Sequence, residues 1–163
     1  MDKIRRIIRK ILIVLLVIWM IAVFCLSNQQ GEDSGNLSRI VANFFAHGDT
    51  VKAESLEPLI RKVAHMTEYA VGAMIFYGIT ITYPEMSRKK RLILTFAYIV
   101  LYAASDEFHQ LFIDERNGSV VDVFIDTFGA ALGIIGMLII EVTIIMMDNK
   151  IKEDLKNPKI ENK

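Results

Sequence analysis

Residues 105–133 read SDEFHQLFIDERNGSVVDVFIDTFGAALG. Apolar sequence precedes them from residue 92 and follows them to residue 146, with the strong turn dipeptide Asn117-Gly118 in the middle. Each arm is long enough to cross a hydrocarbon core of about 30 Å, which takes about 20 helical residues. The stretch therefore reads as one helix leaving a membrane and the next returning. Its carboxylates then lie inside the spans, where a charge costs roughly 2.5–3.5 kcal/mol at the helix centre. Such groups face inward, and here they are spaced to do so. Asp106 and His109 are three apart, while Asp106–Gln110 and Asp122–Asp126 are four apart, so each pair shares a helix face.

Two more apolar runs lie upstream, at residues 7–26 and 60–83. Together they predict an all-α polytopic membrane protein with transmembrane helices at about 7–26, 60–83, 92–113 and 120–146. The 163 residues form one domain, with a charged cytoplasmic tail at 147–163. A hydrophobic content of 53% and a mean hydropathy of +0.37 are too high for an ordinary soluble domain. Formal net charge is zero, so no global field draws the chain to nucleic acid. Cys25 is the single cysteine and rules out an internal disulfide. Residues 7–26 read as a retained helix, because no small-residue cleavage site follows the run. Phe24 is too bulky for a lipoprotein signal at Cys25.

Basic residues set the orientation, since Lys and Arg stay on the cytoplasmic side. Arg5, Arg6, Arg9 and Lys10 open the chain, Arg88-Lys89-Lys90-Arg91 forms the second loop, and five lysines follow Met147. The first loop leans acidic through Glu32, Asp33, Asp49, Glu54 and Glu57. Both termini are expected in the cytoplasm. In that first loop Leu37, Ile40, Val41, Phe44 and Phe45 make the apolar face of a short extracellular helix. Ser34 or Asn36 is its expected cap and Gly48 its end. It either lies in the outer interface or packs on the bundle as a lid. Ser55 is expected to cap the next helix, with Pro58 in its first turn.

Depths follow from a rise of about 1.5 Å per residue. Glu68 falls about 12 Å below the outer end of its span, Asp106 about 11 Å and Asp126 about 9 Å. Three helices thus put carboxylates in one slab beneath the outer surface. His65 and Glu68 share a face, and Arg61, Lys62 and Arg116 sit at the rim. Glu141 is expected near the inner interface and solvated. For Ser105 and Thr67 simple helix-to-helix hydrogen bonding is the preferred reading, and Gly129-x-x-x-Gly133 reads as close helix packing. The larger set of Glu68, Asp106, Glu107, Asp122 and Asp126 with two histidines reads as a functional cavity.

Three blocks resemble the VanZ-like family of bacterial membrane proteins: FCLSNQQGEDSGNLS, RKVAHMTEYAVGA and the stretch quoted at the start. The resemblance touches nearly the whole chain. In the first block Asn28 stands where a second serine is common. By motif match the family's residues fall on Arg61, Lys62, His65, Glu68, Tyr69, Asp106, Glu107, Gln110, Arg116, Asp122 and Asp126. The resemblance implies a plasma-membrane protein of Gram-positive type, in a family named for a member that raises resistance to the lipoglycopeptide teicoplanin.

The leading expectation is an outer-leaflet site for an anionic or sugar-bearing amphiphile, such as a membrane lipid or lipid-linked cell-wall precursor. Arg61, Lys62 and Arg116 would hold its phosphate or carboxylate, with Tyr69 and Gln110 lining the site. In the catalytic version, Glu68, Asp106, Glu107, Asp122 and Asp126 supply general acid and base while His65 relays a proton. The same acids and His65 offer oxygen and nitrogen ligands to a divalent cation, without the spacing of a known metal signature. Two other classes stay open: a proton- or cation-coupled transporter, and a structural four-helix protein.

Overall fold

The computed structural model describes residues 2–28, 31–113 and 118–156, with side chains left out at 31–37 and 154. Five helices account for nearly all of them: α1 (Asp2–Ser27), α2 (Gly31–Ala46), α3 (Thr50–Ile81), α4 (Arg88–Gln110) and α5 (Val120–Lys156). No strand occurs among the described residues. α3 is the hub and packs against all four other helices.

Its closest partner is α5, and small residues explain why. A Cβ added at Gly129 would run into the Met66 carbonyl oxygen, and one at Gly133 into that of Ala70. The two backbones touch, as small-x-x-x-small spacing allows. Around this seam sits a core of Leu16, Trp19, Tyr69, Ile99, Ala130 and Ile134. Trp19 lies over Gly72 and donates from Nε1 to the Glu68 carbonyl at 2.9 Å, tying α1 to α3.

The outer faces carry the opposite chemistry. Ile11, Val14, Ile18 and Ile21 on α1 are exposed, as are Leu101 and Phe108 on α4 and Phe124, Phe128 and Ile139 on α5. A continuous apolar surface of this kind marks a membrane or interaction face. α1 and α5 are each long and apolar enough to cross a membrane. α3 is 32 residues and α4 is 23 residues long, about 48 and 35 Å. Their polar faces lower their mean hydropathy.

Several boundaries depart from the sequence expectation. α3 begins at Thr50, capped by Asp49, whose side chain accepts from the Lys52 amide at 3.1 Å. Ser55 instead donates to the Lys52 carbonyl at 2.8 Å, and Pro58 lies inside the helix. An Asx cap followed by eight helix-compatible residues wins over the later signal. Arg88 to Arg91 form the first turn of α4, with Ser87 as cap, rather than a loop. α4 ends at Gln110, short of residue 113. α5 continues to Lys156, so residues 147–156 extend the helix; the expectations for Lys159 and Lys163 lie outside the described residues.

α2 starts at Gly31, so neither Ser34 nor Asn36 is its cap. It ends where expected, with positive φ at His47 and Gly48. It packs on the start of α3 through Ala42 and Ala46, with Ser38 buried on the same face. The small side chains let α2 approach Ala53 closely and leave Ile40, Phe44 and Phe45 exposed.

Candidate functional site

One end of the bundle gathers ionisable side chains from three helices. α3 supplies His65, Glu68 and Tyr69, the last turns of α4 supply Asp106, Glu107 and Gln110, and the first turns of α5 supply Asp122 and Asp126. Asp106, Glu107, Gln110 and Asp126 are all buried, and Asp126 is 0% exposed. His65 Nδ1 stands 3.8 Å from Asp126 Oδ1. Glu107, Asp106, Asp122 and Glu68 all lie close enough to act electrostatically on Asp126.

Within this cluster the groups divide into two kinds. Some are clasps. Gln110 Nε2 donates to Asp106 Oδ2 at 3.3 Å and to Ser27 Oγ at 3.1 Å, binding α4 to the end of α1. Glu107 Oε2 accepts from the Ser119 amide at 2.8 Å. That bond places a carboxylate on the free amides that open α5, where negative charge is favoured. Gly118 must be glycine here, because a Cβ would strike the Glu107 carbonyl. Other groups are incomplete. Neither carboxylate oxygen of Asp126 has a hydrogen-bond partner among the described residues, and the Tyr69 hydroxyl has none either. The Tyr69 ring is held edge-on to Trp19, with centroids 5.9 Å apart.

The rim differs from expectation in its detail. Arg61 Nη2 pairs with Glu57 Oε1 at 3.3 Å, and Arg39 Nε reaches Glu57 Oε2 at 3.4 Å. Arg61 is thus engaged with its own helix, while Lys62 is exposed. Arg116 lies outside the described residues. His109 stacks on Phe24, with centroids 4.8 Å apart. Among the described residues no group of three or more His, Cys, Asp or Glu is drawn together as a metal site.

Two surface grooves reach the cluster. One of about 420 Å³ runs between α1 and α3, lined by Trp19, Val23, Ala64, Thr67, Glu68 and Val71 among others. The other, about 550 Å³, runs between α4 and α5, with Phe96, Val100, Glu107, Ser119 and Val123 among its lining. Both walls are almost wholly apolar, with a carboxylate residue in each.

The VanZ/LLP1 family model matches residues 12–141. The chain belongs to the VanZ/LLP1 family. The matched segment contains both polar ends of the bundle. No curated protein and no solved structure matches the chain. Two of its helices are long and apolar enough to cross a membrane, which together with the family membership points to a membrane protein.

Sequence reasoning overlooked Ser27 as a hydrogen-bonding member, though it lies in the Ser- and Gln-rich exit from α1. It also took Glu141 for solvated, whereas the side chain is largely enclosed by partners. Glu141 Oε2 accepts from the Tyr77 hydroxyl at 2.7 Å, Oε1 pairs with Arg91 at 3.1 Å, and Arg88 Nε stands 3.7 Å away. Its partners come from other helices at large sequence separation, so no local spacing announced them.

Proposed function

We propose that this VanZ/LLP1 protein crosses the plasma membrane four times with both termini in the cytoplasm, and that its acidic end is an outer-leaflet site. That site binds or modifies an anionic or sugar-bearing amphiphile: a membrane lipid or lipid-linked cell-wall precursor. The observation that carries this reading is Asp126. It is fully buried, and no hydrogen bond from the described residues completes either of its oxygens. A buried charge left incomplete is costly, and such a cost persists at sites that take a ligand. The apolar grooves beside Glu68 and Glu107 support sideways access from lipid. The orientation draws support from Arg5, Arg6, Arg9, Lys10 and the Arg88–Arg91 turn, which mark one side.

In this reading Asp126, His65 and Glu68 line the ligand's polar part, with Tyr69 beside them and Asp122 at the α5 end. Lys62 and Arg116 meet its phosphate or carboxylate at the rim. Asp106, Glu107 and Gln110 hold the helices in place as well as lining the site. A transport path finds less support. Between the acidic end and Glu141 the core is packed with Ala73, Ala130 and Ile134 around the backbone contact of α3 and α5.

Teicoplanin resistance tests the reading. The protein, expressed in a susceptible Gram-positive host, should raise the inhibitory concentration of teicoplanin more than that of vancomycin, which lacks the lipid tail. Asp126→Asn, at matched membrane level, should remove the difference. Protection that survives in Asp126→Asn would rule out the site as its origin. Absence of protection by well-expressed wild type would remove the resistance reading for this chain.

A further inference from the structure

Among the described residues the acidic end holds more carboxylates than cations, and that imbalance has a chemical complement. Asp126 on α5 and Tyr69 on α3 are both 0% exposed. Two carboxylate oxygens and one hydroxyl, shut off from solvent, have no hydrogen-bond partner among the described residues. Buried carboxylates need donors or a cation to offset lost hydration. The described cations do not meet that need in full. Arg61 is turned to Glu57, Lys62 is exposed, and His65 Nδ1 approaches one oxygen of Asp126 at 3.8 Å.

Three occupants compare as follows. A bare phosphate or carboxylate would be repelled by the buried Asp126 carboxylate, which it would meet directly. A divalent metal requires several ligands at about 2.0–2.6 Å, and no described group of acids and histidines is gathered for one. An ammonium group carries a full positive charge with three N–H donors and accepts looser geometry.

We propose that the deep end of this site takes an ammonium group, so that the amphiphile it binds carries a protonated primary amine beside its phosphate, carboxylate or sugar. The inference rests on the outer-leaflet site proposed above and narrows its ligand to zwitterionic or aminated amphiphiles. The amine sits at Asp126 and Tyr69, and the anionic part lies outward toward Lys62. The groove beside Glu68, with Trp19 in its wall, takes the adjoining chain.

The test is competitive binding to the full-length protein in maltoside micelles, read by native mass spectrometry as retained lipid. Phosphatidylethanolamine, phosphatidylglycerol and phosphatidylcholine with identical acyl chains are the probes, and free ethanolamine is added as a soluble competitor. Phosphatidylethanolamine should be retained at least about tenfold more tightly than phosphatidylglycerol, the size expected when hydrogen bonds to a charged group are gained. Phosphatidylcholine, whose nitrogen has no N–H, should not share the advantage. Asp126→Asn should abolish the preference and Tyr69→Phe should weaken it. Equal retention of ethanolamine and glycerol headgroups by wild type overturns the ammonium inference while leaving the amphiphile site standing. Failure to retain any of the three lipids overturns both. Displacement by ethanolamine at the concentration at which the lipid binds supports ammonium recognition and assigns a soluble amine as its source. The wild-type comparison stands even if Asp126→Asn fails to fold.

Discussion

The two ends of this bundle each enclose a carboxylate on α5, Asp126 fully and Glu141 in large part, and they treat it in opposite ways. Glu141 receives the Tyr77 hydroxyl and the Arg91 guanidinium, with Arg88 close by. Asp126 lies about 22 Å away along the same helix. It has four carboxylates in electrostatic range and one histidine nitrogen at 3.8 Å. Cations and donors complete Glu141, while Asp126 is crowded by its own sign. A completed buried pair joins helices and is costly to break, whereas a buried charge left incomplete is itself a cost to the fold. The difference marks one end as a joint and the other as a site.

Substitutions should separate the ends by size of effect. Glu141→Ala leaves Arg91 half-buried without its carboxylate and should cost about 3–5 kcal/mol, read as a fall in thermal midpoint in micelles. A cost below about 1 kcal/mol, the range of exposed pairs, would erase the contrast. Gly133→Ala pushes a methyl into the Ala70 carbonyl, in the layer between the ends. Overpacking of this kind should cost about 1–3 kcal/mol, and a neutral result would show that α3 and α5 separate easily. Glu107→Ala removes the acceptor of the Ser119 amide and should cost about 1 kcal/mol, as lost helix caps do. That modest loss would confirm a clasp inside the acidic cluster, and no loss would return Glu107 to the incomplete group. Asp126→Asn removes a buried charge without full partners and should cost nothing or stabilise slightly.

Much of this was legible in the sequence because it depends on local spacing. The four apolar runs correspond to α1, α3, α4 and α5, and the helix rise alone put Glu68, Asp106 and Asp126 at one level. The same arithmetic does not reveal partners. Glu141 meets Tyr77 and Arg91 from 64 and 50 positions away. Gln110 meets Ser27 from 83 positions away. The start of α3 was missed because Asp49 and Ser55 are both competent caps; the earlier one holds, and Ala53 in the added turn packs against Ala42 and Ala46 of α2. The apolar stripe of α2 was visible, but which face it would bury was not. Ala42 and Ala46 won that contact by being small.

The most direct measurement sets Asp126→Asn beside Glu141→Gln in thermal unfolding of the full-length protein in one detergent. Asp126→Asn should unfold at or slightly above the wild-type midpoint, because it removes an incompletely paired buried charge. Glu141→Gln should unfold at a clearly lower temperature. If Asp126→Asn falls as far as Glu141→Gln, Asp126 is a structural joint like its counterpart, and the acidic end is not a site awaiting a ligand.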